Sequence, residues 1–348
     1  MLNIFLDTEQ ALYWLENARN SNFNTKYIIS RKIPVWLDDT VSKRVAIFEV
    51  IEFDIETEQR LQVACSHAEL VIVLLPEFIT DVWIHKFDLP NVVFFINGRL
   101  NYSTRHARVY LDPYFFWSTV DFYRTHPEVL SQLQSEPTHA FDVLLGRQKP
   151  HRDIVYNIID HGKNIVRYFP SDQDLDIKQY SKENFEWPST HLQVQGPVTM
   201  TAQAVTVDGT IVSLSQIIPV DIYNRTRYTL VAETQMDNEF SFFTEKIVKP
   251  MLAKRLFIVC SGQYYLRNLR KLGFRTFNGL VNESYDEIQS WEERTKAACA
   301  EAQRLSTLDG NLVQSAIDDI TEHNYRHLMN TPWQTNLFQD VGRILLTV

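Results

Sequence analysis

Two short segments in the C-terminal half carry charged residues at spacings that could bind an anion. The first is the turn Gly146-Arg147-Gln148-Lys149-Pro150-His151-Arg152, which follows an apolar stretch and precedes a helical pattern. Such a turn gathers cationic side chains and the positive end of a helix dipole at one point. It predicts an anion site with a diphosphate as its natural occupant, and a solvated basic turn is the alternative interpretation.

The second set comprises Glu233, Thr234, Thr244, Glu245 and Lys246. Thr244 is a good helix N-cap, so Glu245 and Lys246 fall in the first turn, where backbone N–H groups point outward. A ribose diol requires a carboxylate and a diphosphate requires an ammonium group, and Glu233, Glu245 and Lys246 supply both. The alternative interpretation is a capped surface helix with solvated charges.

The elements that must position these residues alternate between strand and helix patterns. In the first half, strands are predicted at residues 3–6, 26–30, 45–51, 69–75 and 91–96, with helices at 9–17 and 56–68. Strands separated by helix-length segments indicate parallel sheets in an α/β fold. A polar stretch with Pro127 and Pro137 interrupts the pattern, so we place a domain boundary between Glu136 and Ala140.

The second half repeats the β/α order after that boundary. Strands are predicted at residues 140–145, 164–168, 211–214, 228–232 and 255–260, and helices at 153–159, 263–272 and 286–305, around a polar insertion at 170–190. Pro250 lies inside the helix that Thr244 begins, and we expect a kink or a restart there. Tyr264 and Tyr265 are expected to pack in the fold rather than to stack on a base.

Composition excludes several classes of protein. The net charge of −9 argues against a protein that coats nucleic acid, and the three cysteines offer neither a disulfide framework nor a zinc-ligand spacing. The G-x-G-x-x-G and P-loop fingerprints are absent, which removes the best support for kinases, ATPases and dehydrogenases. The start of the sequence predicts a first strand and no signal peptide, and no apolar run has membrane-spanning length. We therefore expect a cytoplasmic protein, in the host cytoplasm if the gene is viral.

The pattern Phe-Phe-Thr-Glu-Lys at residues 242–246, followed by Lys249-Pro250 and the strand Phe257-Ile258-Val259, resembles the donor-binding segment of GT-B glycosyltransferases. It is most similar to the α-1,3-fucosyltransferase-like group and its phage-encoded relatives, over residues 141–287. The chain departs from that group at Ala232-Glu233-Thr234, where fucosyltransferases have a Glu-Asn-Ser type of sequence. The donor base and sugar therefore stay open.

The resemblance implies two Rossmann-like domains with a cleft between them: an acceptor domain at 1–137, a nucleotide-sugar-binding domain at 138–325 and a returning helix at 326–348. It implies that Glu245 contacts the ribose and Lys246 the diphosphate, with a further cation from Arg147, Lys149 or Arg152. The sugar nucleotide is then a substrate, and no cofactor is expected. No metal site is expected either, since basic side chains can neutralise a leaving diphosphate.

A transferase that inverts the anomeric centre needs a general base for the acceptor hydroxyl. Asp7, Glu9 and Glu77 follow predicted strands of the first half and are the candidates. The acceptor could be a glycan or, for a viral gene, a hydroxymethylated base in DNA, which would require a basic cleft such as the stretch 99–108. A non-catalytic nucleotide-binding scaffold and a sugar-nucleotide epimerase are the competing hypotheses.

Overall fold

Parallel strands alternate with helices along much of the chain, so the protein is a mixed α/β protein. The structure is a computed structural model and describes residues 2–6, 25–29, 43–50, 54–75, 81–134, 136–169, 198–200, 204–207 and 210–346. It divides into two units. Unit 1 comprises Met1–Tyr114 with Pro332–Val348, and unit 2 comprises Phe115–Thr331.

Unit 1 is built on a six-stranded sheet. Its elements in chain order are β1 (Leu2–Leu6), β2 (Thr25–Ile29), β3 (Lys43–Glu49), α1 (Ile55–His67), β4 (Leu70–Leu75), α2 (Asp81–Lys86), β5 (Val92–Ile96), β6 (Gly98–Leu100) and β7 (Arg108–Leu111). The strand order is β2-β1-β3-β4-β5-β7, and every adjacent pair is parallel. Strands β4 and β5 are buried along their whole length, which explains their unbroken apolar runs.

Unit 2 contains the elements on which the charged segments lie. Its helices are α3 (Tyr114–Thr125), α4 (Pro150–Ile158), α5 (Val220–Arg225), α6 (Glu245–Leu252), α7 (Tyr265–Lys271), α8 (Trp291–Leu305) and α9 (Gly310–Asn330). Its strands are β8 (His139–Arg147), β9 (Ile165–Phe169), β10 (Val198–Met200), β11 (Ala204–Val207), β12 (Thr210–Ser213), β13 (Thr226–Ala232), β14 (Phe240–Phe242) and β15 (Phe257–Cys260). Short 3-10 helices occupy Pro127–Gln132, Leu214–Gln216 and Glu283–Glu287.

The last helix, α10 (Trp333–Leu346), belongs to unit 1 although it follows unit 2 in the chain. Its apolar side chains join one cluster with side chains of β3, β4 and β5, and they are Leu337, Val341, Ile344 and Leu345. The exposed fraction of each is 6% or less. The amphipathic pattern at the end of the chain therefore completes the core of the first sheet.

Two sheets of unit 2 are described in full. The larger has the order β15-β13-β8-β9 and is parallel throughout. The smaller is an antiparallel sheet of β10, β11 and β12. Helix α6 packs against β13, and α8 packs against β15 and α4. The parallel sheet is the scaffold for both charged segments.

A buried ion pair connects the strands of this sheet near their amino ends. The Arg255 guanidinium donates to the Asp142 carboxylate at 2.9 Å and to the Tyr228 carbonyl at 2.9 Å, and it lies 4.2 Å from the Tyr223 ring centroid. The exposed fraction of the Asp142 residue is 0%. Burial raises the pKa of Asp142, against the opposing effect of the Arg255 charge.

The structure includes strand β7 and helix α3, which the sequence analysis did not predict, and it differs from the predictions at further points. The stretch 136–140, where we placed a boundary, lies within unit 2, because that unit begins at Phe115 and so includes nearly all of α3. Hydrogen bonds connect α3 to later residues of the unit. There the Tyr123 hydroxyl accepts the Ile218 amide at 2.6 Å, and Gln216 donates to Thr119 at 3.0 Å. Helix α6 also continues through Pro250 and ends at Leu252, with no restart. The predicted helix at 9–17 and the polar insertion at 170–190 lie outside the described residues.

Candidate functional site

The two charged segments meet at one edge of the unit 2 sheet. Strand β8, which includes Gly146 and ends at Arg147, leads into the turn before α4, and β13 leads into Glu233. The two strands are parallel neighbours. The chain continues from β8 to β9 on one side and later places β13 on the other side. In open α/β sheets, ligands bind at the carboxyl ends of the strands where the strand order reverses in this way.

The turn after β8 depends on a glycine and a buried arginine. Gly146 has a φ of 65°, and the register of β8 with β9 shifts between Leu144 and Gly146. Arg152 donates to the carbonyls of Arg147 at 3.0 Å and of Ala232 at 3.4 Å, and 5% of the residue is exposed. Arg152 therefore holds the ends of β8 and β13 together, whereas the side chain of Arg147 is exposed.

His151 also contributes to this link between the strands. Its Nε2 donates to the Glu233 carbonyl at 2.9 Å. Burial lowers the pKa of His151 to about 4, and the charge of Arg152 adds to the effect. The imidazole is therefore neutral at physiological pH and serves as a hydrogen-bond donor within the turn.

Two lysines from different elements converge on Thr234. Lys149 Nζ donates to the Thr234 carbonyl at 2.9 Å, and Lys246 Nζ donates to the Thr234 hydroxyl at 3.2 Å. Both side chains are half-buried. Burial lowers the pKa of Lys149, and the charges of Arg152 and Lys246 lower it further. Positive charge is therefore concentrated at the edge of the sheet.

Glu233 is buried beneath these lysines. Its exposed fraction is 0%, and its two carboxylate oxygens accept hydrogen bonds from Thr244 at 2.8 Å and from Tyr265 at 3.1 Å. Burial raises the pKa of this carboxyl, although Lys246 and the two hydroxyl donors oppose the shift. Glu233 thus fixes the helix start at Thr244 and the ring of Tyr265.

Thr244 is the N-cap of α6, as the sequence predicts. Its hydroxyl oxygen accepts the amide N–H of Lys246 at 3.2 Å. The Lys246 ammonium group forms an ion pair with Glu245 at 2.9 Å, with 24% of the lysine side chain exposed. Burial alone would raise the pKa of Glu245, but the charges of Lys246 and Lys249 hold it below its ordinary value. Glu245 is therefore ionised at neutral pH.

The segment 234–240 forms one wall of this edge, and sequence analysis did not find the residue that holds it. Arg294 of α8 donates to the carbonyls of Ser261 at 2.8 Å, Met236 at 3.3 Å and Gln289 at 3.3 Å. Its exposed fraction is 1%, and burial lowers its pKa to about 10. Arg294 follows two glutamates in a helix whose N-cap is Ser290, a pattern typical of a solvated first turn.

A close backbone approach fixes the same wall at Gly262. A Cβ atom at this position would lie 2.1 Å from the Asp237 carbonyl oxygen and 2.8 Å from that of Phe240. Only glycine allows the loop after β15 to lie this near the segment 234–240. The sequence signal for such a site is a glycine two residues after an apolar strand.

The sequence analysis also predicted site residues in unit 1. Asp7, Glu9 and Glu77 lie outside the described residues. In the stretch 99–108, the side chains of Arg99, Arg105 and Arg108 are exposed, and Asp88 accepts the amides of residues 105, 106 and 107 at 2.6–2.8 Å. This stretch is therefore a surface loop that Asp88 holds in place.

Within the part of the chain that the structure describes, no helix has the length and apolar character needed to span a bilayer. Compared with protein-family models and with curated protein sequences, the chain matches none, so the interpretation of this edge depends on its own geometry.

Proposed function

We propose that the carboxyl edge of the unit 2 sheet binds the diphosphate of a sugar nucleotide, and that the protein is a glycosyltransferase. The convergence of Lys149 and Lys246 on Thr234 supports this proposal most directly. Burial is the largest cause of the lowered pKa of Lys149, and the charges of Arg152 and Lys246 lower it further, so the two half-buried ammonium groups repel one another. A ligand with two adjacent negative charges relieves it.

The neighbouring groups suit the rest of a nucleoside diphosphate. Glu245 is ionised and lies beside Lys246 in the first turn of α6, with 5% of its side chain exposed. In the proposed complex its carboxylate accepts hydrogen bonds from a ribose diol. Glu233 acts through Thr244 and Tyr265, since both its oxygens are engaged by protein hydroxyls. Its role in the proposed site is to position Lys246, not to contact the ligand.

In the proposed transfer step, the lysines stabilise the negative charge that develops on the leaving group. The acceptor oxygen forms a bond to the anomeric carbon as the bond from that carbon to the phosphate oxygen breaks. The diphosphate leaves with the electron pair, and the acceptor proton passes to a general base. Because negative charge grows on the leaving diphosphate, the ammonium groups of Lys149 and Lys246 stabilise the transition state more than the ground state.

Titration tests this proposal and separates it from its competitors. Purified protein is titrated with nucleoside diphosphates carrying each of the common bases, and sugar nucleotides are then assayed for hydrolysis and for transfer to glycans or hydroxymethylated DNA. We expect one nucleoside diphosphate to bind and its sugar nucleotide to be hydrolysed or transferred. Binding without turnover would favour the scaffold, and conversion of the donor sugar with no release of diphosphate would favour the epimerase. A protein that binds no nucleoside diphosphate would contradict the proposal.

A further inference from the structure

Tyr264 has a backbone conformation that is rare for a tyrosine. It lies four residues beyond the end of β15, and its φ of 66° and ψ of 20° place it in the left-handed region. A bulky residue is strained there, and such strain persists only where the surrounding structure enforces it. Residues of this kind concentrate at binding and catalytic sites.

The surrounding contacts hold Tyr264 firmly in this conformation. Its amide donates to the Asp286 carbonyl at 2.8 Å, and its own carbonyl accepts the Asn268 amide at 2.9 Å. The preceding residue, Gln263, donates its side chain to the Glu287 carbonyl at 2.6 Å. The ring is therefore presented from a fixed backbone at the edge of the sheet.

A guanidinium group lies over the ring. The Arg267 Cζ atom is 3.6 Å from the Tyr264 ring centroid, a distance typical of a flat stack. Among the described residues, the Nε atom of Arg267 has no hydrogen-bond partner. The contact with the ring therefore positions the guanidinium more than any hydrogen bond of Nε does. The Tyr264 residue is half-buried, so part of its surface is exposed.

Tyr265, the next residue, has a different role. It is 1% exposed, and its hydroxyl donates to Glu233. Tyr265 therefore packs in the fold, as the sequence predicts. Its neighbour Tyr264 is half-buried and so is partly exposed at this edge.

The location of Tyr264 relative to the lysines fits an extended nucleotide. Strand β15 pairs with β13, and β13 pairs with β8, whose turn carries Lys149. Adjacent strands lie about 4.8 Å apart, so the end of β15 is on the order of 10 Å from the end of β8. A ligand with phosphates at β8 and a planar base at β15 would lie across the carboxyl edge.

We propose that Tyr264, with Arg267 stacked behind it, is the platform on which the nucleobase of the donor stacks. This inference rests on the proposed function, because it assigns the base end of the same ligand. Stacking on an aromatic ring tolerates every base, so Tyr264 supplies affinity for the nucleoside without choosing the base.

The test compares a nucleoside diphosphate with inorganic pyrophosphate. Tyr264→Asn removes the ring and keeps a residue that accepts the left-handed region, and Tyr264→Phe keeps the ring. We expect Tyr264→Asn to weaken nucleoside diphosphate binding by about 5- to 100-fold and to leave pyrophosphate binding unchanged. Tyr264→Phe should bind both ligands like the unmodified protein.

Tyr325 of helix α9 provides a matched control, since the Lys254 ammonium group lies 4.6 Å from its ring centroid. Tyr325→Ala should leave both affinities unchanged. If Tyr264→Asn and the unmodified protein bound the nucleoside diphosphate equally, the stacking role of Tyr264 would be contradicted and the proposed function would not be affected. An equal loss for both ligands would also overturn it, because Tyr264 would then shape the cationic site. Failure of the unmodified protein to bind any nucleoside diphosphate would overturn this inference and the proposed function together.

Discussion

The Thr244 hydroxyl donates to the Glu233 carboxylate at 2.8 Å while its oxygen accepts the amide of Lys246. One hydroxyl thus joins the end of β13 to the first turn of α6. The Glu233 carboxyl at the end of β13, which is 0% exposed, therefore sets the position of the helix that carries Lys246. The cationic edge is therefore preorganised by groups below it.

Thr244→Val should destabilise the fold. It removes the N-cap of α6 and leaves one oxygen of the buried Glu233 without its hydroxyl donor. We expect a loss of about 1–3 kcal/mol in the free energy of unfolding, measured by urea denaturation. Thr244→Ser keeps the hydroxyl and should stay close to the unmodified protein. Equal stability of Thr244→Val and the parent would show that the link contributes nothing.

Lys246→Ala should lower turnover strongly under the proposed function. Loss of one preorganised donor to the leaving diphosphate costs on the order of 2–4 kcal/mol in activation free energy. Glu245→Gln should weaken donor binding more than turnover, because the ribose does not change charge during transfer. Steady-state kinetics separates the two effects. Lys271→Ala, at an exposed position at the end of α7, is the control, and a Lys246→Ala enzyme with unchanged kcat would contradict the assigned role.

Binding of pyrophosphate should depend on pH through Lys149. Burial and the charges of Arg152 and Lys246 lower its pKa below the ordinary value of 10.5, so its charge is lost at a lower pH than in the unfolded chain. Affinity should therefore fall as the pH rises through this lowered pKa. Lys149→Arg keeps its charge at all accessible pH values, so its profile should be flatter.

Ionisation of pyrophosphate itself is the same for both proteins, and Lys249, whose pKa burial lowers to about 8, is present in both. The difference between the two profiles, from calorimetric titrations between pH 7 and 10, therefore reports Lys149. Parallel profiles would show that Lys149 does not contact the anion.

Gly262→Ala should disturb the wall formed by the segment 234–240. The added Cβ would meet two backbone carbonyl oxygens, so the backbone must shift. We expect destabilisation of about 1–3 kcal/mol by thermal or chemical unfolding. At Gly162, the added Cβ would meet only the side chain of Asp160 at 3.2 Å, so Gly162→Ala should change stability by less than about 0.5 kcal/mol. Similar values for the two variants would count against the close approach.

Arg255→Met should be the most damaging of these changes. It leaves the Asp142 carboxyl buried without its ion-pair partner, which typically costs about 3–5 kcal/mol. The exposed pair of Arg275 and Asp319 gives the contrast, since Arg275→Met should have little effect on the unfolding midpoint. A small effect of Arg255→Met would mean that Asp142 becomes neutral at little cost.

The sequence predicted the strands of both parallel sheets to within a few residues, except for β7, which it did not predict. The reason is physical: strands such as β4, β5 and β13 are buried on both faces, and burial demands the apolar runs that mark them. The N-cap at Thr244 was also predicted, because capping is a local interaction. Local and periodic features could thus be inferred from one chain.

Features that depend on distant contacts could not be inferred. Arg294 and the pair of Asp142 and Arg255 are charged residues in the interior, and their burial has no periodic signal. Tyr264 and Tyr265 are adjacent and chemically identical, yet one is half-buried and the other is buried. The grouping of α3 with unit 2 results from hydrogen bonds to residues about ninety positions away along the chain.

The order of the elements has a consequence for biosynthesis. Side chains of α10 complete the core of the unit 1 sheet, but the ribosome makes α10 after all of unit 2. The apolar face of β3, β4 and β5 that α10 covers therefore lacks this helix while more than 200 residues of unit 2 are synthesised. Unit 2 is continuous in the chain, so we expect it to fold before the core of unit 1 is completed.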